Sequence, residues 1–115
     1  MIAVVWQFQI KPGKQQEFEQ FYGADGEWSK LARRSRSYLG SSFLRDQANQ
    51  TSYVLVEYWS EMVVYERHRT TLSRDVRTLE ERREALCDAI IPMGIFSALD
   101  VPHREGPTWS RRDGK

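Results

Sequence analysis

The sequence predicts an α+β fold, a ferredoxin-like β-α-β-β-α-β arrangement of four antiparallel strands with helices on one face of the sheet. Three observations predict it. Residues Ile2 to Ile10 alternate cleanly, with Ile2, Val4, Trp6, Phe8 and Ile10 on one side and Ala3, Val5, Gln7 and Gln9 on the other. The run from Tyr53 to Leu72 (YVLVEYWSEMVVYERHRTTL) changes from strand spacing to helix spacing with no loop between. With 115 residues, the chain holds one hydrophobic core and is too short for two ordinary domains.

Each element has its own local cause. After the first strand, Lys11-Pro12-Gly13-Lys14 is a turn, with proline fixing φ and glycine free to take positive φ. Phe18, Phe21 and Tyr22 then fall at i, i+3 and i+4, giving the next helix an aromatic face. Gly23-Ala24-Asp25-Gly26 interrupts it, Asp25 is placed to cap the next helical segment, and Trp28, Leu31 and Ala32 resume the helical spacing. Arg33, Arg34 and Arg36 supply cations near the C-terminal end, where the helix dipole favours them.

Tyr38 to Asp46 reads as a second strand, with Gly40 marking a bulge, and Gln47 to Gln50 closes a hairpin onto the third strand. That strand places Tyr53, Leu55, Glu57 and Trp59 on one face and Val54, Val56 and Tyr58 on the other. Ser60 stands at an N-cap position, Glu61 comes next, and Val64, Tyr65, His68 and Leu72 keep helical spacing. Ser73 is placed to cap a further helix with the stripe Val76, Leu79, Arg83, Leu86, Ile90. Pro92-Met93-Gly94 is read as its stop, and Ile95 to Leu99 as a short last strand. Residues 1–100 form the predicted domain, and 101–115 a Pro/Gly/Arg-rich tail, ordered only if Trp109 docks.

Composition excludes several classes of function. Seventeen basic and sixteen acidic side chains leave a formal charge of +1, so no net field draws the chain to nucleic acid or to an anionic membrane. The basic clusters at Arg33, Arg34, Arg36 and at Arg82, Arg83 are interleaved with acids and read as a solvated face. One cysteine, Cys87, excludes an intrachain disulfide and reads as packing on the last helix, and no Cys/His spacing suggests a metal site. The N-terminus lacks a basic leader and no apolar run approaches the ~18–20 residues of a membrane span, so a cytoplasmic location is expected. Apolar residues on both faces of the strands predict a homodimer that buries the sheet surface left bare by the helices.

The residues that bear chemistry gather where the third strand hands over to its helix. His68 is a candidate general base, or else a half-buried structural histidine. Trp59 either stacks on an aromatic ligand or fills core. Glu57, on the face of Leu55 and Trp59, must be solvated, paired or functionally perturbed, and Arg83 is its most economical partner.

The run AVVWQFQIKPGKQQEFEQFYGADGEWSKLARRSRSYLGSSFLRD followed by YVLVEYWSEMVVYERHR resembles the antibiotic biosynthesis monooxygenase-like family of dimeric α/β barrel proteins, over roughly residues 2–97. Its sharpest pieces are Tyr22-Gly23-x-x-Gly26-x-Trp28, Tyr38-Leu39-Gly40 and Trp59-Ser60. The resemblance implies oxidation of anthrone-type phenols to quinones by O2 with no metal or flavin, in a pocket lined by Trp, Tyr, Asn and Arg. Trp59 and Tyr65 fall in slots similar to the Trp and Tyr. Leu55 stands near the Asn slot and Leu79 near the Arg slot, so Glu57 and Arg83 are only displaced polar groups. The heme-degrading relatives of the same fold resemble the chain less: Trp6 stands in their Asn slot, His68 near their Trp slot and Thr78 in their His slot, which predicts no heme turnover.

The expectation is a cofactor-independent monooxygenase acting on a small aromatic or polyketide-like compound. Trp59, Tyr65 and Arg83 would bind it, and His68 or Glu57 would move protons. The alternative is a non-catalytic ligand-binding or structural dimer of the same fold.

Overall fold

Residues 1–99 are described by a computed structural model of the chain, and the tail predicted over 101–115, with its Trp109, lies outside them. Four strands, β1 (Ile2–Ile10), β2 (Tyr38–Arg45), β3 (Ser52–Trp59) and β4 (Cys87–Ser97), form one antiparallel sheet in the order β2-β3-β1-β4. The first crossover carries α1 (Gln15–Tyr22) and α2 (Glu27–Ala32), and the second carries α3 (Met62–Thr71) and α4 (Ser73–Glu84). This is the predicted ferredoxin-like arrangement, each crossover being broken into two helices.

The register lines up the faces. Ile2, Val4, Trp6 and Phe8 of β1 stand opposite Trp59, Glu57, Leu55 and Tyr53 of β3, and these side chains face the helices. The main core joins Phe8, Ile10, Phe18, Tyr22, Tyr53 and Leu55 with their neighbours, and a second cluster holds Val4, Ala32, Trp59 and Tyr65. Trp6 packs against both. On the other face Val5, Val54, Val56 and Tyr58 are only half buried, while Leu44 and Phe96 are 54% and 52% exposed. That face has no helix over it.

The helix caps differ from the sequence reading. Gly26, not Asp25, is the N-cap of α2. A Cβ there would strike the backbone carbonyls of Gln20 and Phe21, so the tight turn between α1 and α2 selects glycine rather than a side-chain cap. Ser60 does not cap α3. Its hydroxyl is hydrogen-bonded to that of Ser37 at 2.6 Å, and extended Glu61 takes the cap position with no side-chain bond. Ser73 already lies inside α4, because the kink between the helices falls at Leu72.

The last third of the chain departs furthest. The predicted stripe through Leu86 and Ile90 overran the helix, which ends at Glu84, and Cys87 opens β4 instead of lying on the helix. Pro92, read as a stop, lies inside an eleven-residue strand. Because β4 is at the sheet edge, the N–H that proline lacks can be one that would otherwise point to solvent. Trp6 pairs with Pro92 and Val5 with Gly94, which leaves Met93 as the extra residue of a bulge. The bulge expected at Gly40 is present, with φ at +125° and a register shift beside Tyr38.

Candidate functional site

The end of β3 and the start of α3 bring Trp59, Tyr65 and His68 together, as their spacing predicts. The Trp59 ring lies 5.2 Å from Tyr65 and 4.9 Å from His68, centroid to centroid. Period-two alternation places Glu57 beside Trp59 on the same face, level with Val4 of β1 and Ser41 of β2. The helices close over it and leave Glu57 3% exposed.

Glu57 is held by two indoles. Trp28 of α2 donates its Nε1–H to Oε2 at 2.5 Å, and Trp59 donates to Oε1 at 3.4 Å. Burial pushes the carboxyl above the ordinary carboxylate range, and the two indole bonds together with the charges of Arg69 and Arg83 offset this only in part. The expected ion pair with Arg83 is not formed: among the described residues Arg83 pairs with Glu80 and Tyr22, not with Glu57. Arg83, 4% exposed, lies over the rings of Trp6, Phe8 and Trp28 at 5.0, 5.7 and 5.4 Å and donates to the Tyr22 hydroxyl at 3.1 Å. The reason is geometric: Arg83 faces the aromatic stack of α1 and β1, and the Trp28 ring stands next to both charged groups.

Trp28, Leu31, Ala32, Glu57, Trp59, Tyr65, His68, Arg69 and Val76 line a narrow cleft between sheet and helices. Arg83 does not line it. Its free volume is about 10 Å3, room for about one water. His68 stands half buried, and burial, then the neighbouring Arg69 and Arg34 cations, lower its pKa, so the imidazole is neutral and able to accept a proton near pH 7. Burial raises the Tyr65 phenol, which stays protonated. Arg69 lies over the Tyr65 ring at 6.0 Å and bonds Glu80 at 2.8 Å. Among the described residues this bond to Glu80 is the side-chain hydrogen bond that ties α3 to another element.

Two of these residues escape a reading of the sequence alone. Trp28 carries a core signal and a motif signal but nothing that names its N–H partner 29 residues away. Arg69 sits one position from His68 with no signal in the sequence that marks it. Cys87 packs, as expected, though on β4: it is buried, and desolvation lifts its thiol to about 11. Among the described residues no cluster of His, Cys, Asp and Glu is arranged to hold a metal, and no helix is long and apolar enough to cross a membrane.

A family model for antibiotic biosynthesis monooxygenase matches residues 1–77, a segment that contains every residue lining the cleft. The chain belongs to that family. Solved structures share the monooxygenase-family fold at low identity. SnoaB, a cofactor-independent oxygenase from Streptomyces nogalater, aligns with a TM-score of 0.70 at 19% identity, covering 87% of this chain and 94% of its own. A Deinococcus radiodurans protein assigned to the antibiotic biosynthesis monooxygenases reaches 0.73 at 12% identity, over 92% of this chain and all of its own. A NIPSNAP family protein from Agrobacterium tumefaciens reaches 0.61 at 14% identity, over 92% and 96%. No curated protein matches the chain.

Proposed function

We propose that this family member is a cofactor-independent monooxygenase whose substrate is a small, weakly acidic aromatic or polyketide-like compound bound against Trp59 and Tyr65. The observation that carries the reading is Glu57, a buried carboxylate among rings, with His68 at the same cleft. Glu57 or His68 takes a proton from an activated CH2 or phenol, and the carbanion gives its electrons to O2. The resulting peroxide loses water, so that CH2 and O2 become C=O and H2O with no outside reductant. A homodimer paired through the open sheet face would bury Val5, Val56, Leu44 and Phe96.

Substrate entry requires the cleft to widen. Tyr65 is the residue that α3 buries, and the bond from Arg69 to Glu80 is partly exposed, a class of interaction worth about 0–1 kcal/mol. Displacement of α3 would open the site, at the cost of unpacking Tyr65 from Trp59. One observation favours a second reading, a structural dimer without chemistry: the lining side chains leave only about 10 Å3.

Oxygen uptake by the metal-free protein against anthrones, hydroquinones and polyhydroxylated aromatics separates the two, with Trp59→Ala and Glu57→Gln alongside. Protein-dependent uptake that falls in Glu57→Gln supports the oxygenase. If the panel gives neither uptake nor a ligand-induced rise in melting temperature, the structural dimer takes its place.

A further inference from the structure

We propose that Trp28 is a positioning residue for Glu57, pinning one carboxylate oxygen through its indole N–H while Arg83 polarises the same indole from its face. This rests on the reading of Glu57 as a proton acceptor and identifies what aims it.

The two carboxylate oxygens are held unequally. Oε2 receives the 2.5 Å bond from Trp28, whereas Oε1 lies 3.4 Å from Trp59, at the outer limit of a hydrogen bond. Oε1 is the oxygen left to exchange a proton. A carboxylate pinned on one oxygen keeps a fixed orientation, which a base needs if proton transfer is to be geometrically reproducible.

Arg83 would strengthen Trp28 as a donor. Its guanidinium carbon stands 5.4 Å over the Trp28 ring, and it makes one long ion pair, to Glu80 at 3.9 Å. Among the described residues its Nε has no partner, and the cation is held chiefly by ring faces and the Tyr22 hydroxyl. A cation over an indole draws electron density from the ring, and hydrogen-bonded chains polarise one another in a low dielectric. The Trp28 N–H thus becomes a better donor to the carboxylate.

The other groups around Glu57 do not duplicate this role. Tyr22 from α1 binds Arg83, and Tyr38 from β2 is bonded to Ser41. From α3, burial raises the Tyr65 phenol and lowers the His68 imidazole, and Arg69 is bonded to Glu80. Arg83 from α4 reaches Glu57 only through space and through Trp28.

The test is an NMR pH titration of ligand-free protein carrying 13C-carboxyl glutamate and 15N-tryptophan. In the wild type, the Trp28 indole proton is expected to shift in step with the Glu57 carboxyl. Trp28→Phe removes a bond to the charged form and should raise the Glu57 midpoint by about one pH unit. Arg83→Met, which keeps bulk and removes charge, should raise the midpoint and move the Trp28 indole proton upfield. In the Trp28→Phe background, Arg83→Met should have a smaller effect than alone. A Trp28 indole that ignores the Glu57 titration, or a midpoint unchanged in Trp28→Phe, overturns the proposal. If Trp28→Phe does not fold, the wild-type titration and the Trp28 indole shift on Glu57→Gln decide it on the same terms. No substrate is present, so a failed oxygen-uptake assay with an intact titration rejects the oxygenase alone, and the reverse pattern rejects the Trp28 clamp alone.

Discussion

The indole N–H of Trp28 meets Glu57 at 2.5 Å, a bond from the short helix α2 to the middle of the sheet. It lets a carboxylate lie among rings where no cation touches it. The arrangement reduces the cost of burial but does not remove it, because desolvation still raises the acid.

That imbalance predicts a pH-dependent stability. Below the ordinary value of 4.5, Glu57 is protonated in both folded and unfolded chains and adds no penalty. As pH rises past it, the unfolded chain releases the proton first, so stability falls until the folded carboxyl also ionises. Each pH unit of elevation corresponds to about 1.4 kcal/mol. Glu57→Gln escapes this, so denaturant midpoints should favour the variant progressively from pH 4 to pH 8. An equal difference at both pH values would contradict the sign.

Trp59→Ala should cost about 3–5 kcal/mol, the range for removing a buried aromatic. Trp59 is almost fully buried and its ring meets Tyr38, Tyr65 and His68, so the void opens at the cleft. A void left by an indole, with Glu57 still there to accept an N–H, fits indole itself. Indole should therefore restore part of the lost melting temperature in the variant and leave the wild type unmoved, as read in thermal melts.

Gly26→Ala should destabilise by about 1–3 kcal/mol, the usual cost of forcing atoms into a packed site. The obstruction is the backbone of Gln20 and Phe21, which cannot swing aside as a side chain would. Because Gly26 opens the helix that carries Trp28, the indole resonance of Trp28 should shift as well. Chemical denaturation and the 15N spectrum check both.

Val56→Asp tests the sheet-face dimer. Val56 pairs with Val5 on one side and Ser42 on the other, at the middle of the open face. An aspartate there places like charges opposite one another across a two-fold contact, which is destabilising by several kcal/mol when desolvated. Sedimentation should show a dimer for the wild type and a monomer for the variant with an unchanged circular dichroism spectrum. A wild-type monomer at high concentration would remove the dimer from the reading.

Much of this architecture was legible in the sequence. Period-two runs and the change of period after Trp59 announced β1, β3 and α3, and the i, i+3, i+4 aromatics announced α1. Those signals are local, and burial of one face enforces them. The end of α4 was not legible, since Leu86 and Ile90 continue a helical spacing by coincidence and Pro92 carries the same local signal whether it stops a helix or sits on a sheet edge. At the site, the meeting of Trp59, Tyr65 and His68 was implied by spacing alone. Glu57 is recognisable in the sequence as a buried charge, but its partner is not. Charge complementarity points to Arg83, whereas the fold supplies an indole N–H, a donor with no sign and no periodicity.

The irregularities of the two outer strands have a further consequence. β4 carries Pro92 and the Met93 bulge, and β2 carries the Gly40 shift, so neither rim offers an unbroken row of backbone donors and acceptors. Lateral strand addition, the route to open-ended fibrils, is disfavoured at both rims. In the proposed dimer the broad face would carry the contact instead, and a two-fold contact there would close on itself and halt growth at a finite size.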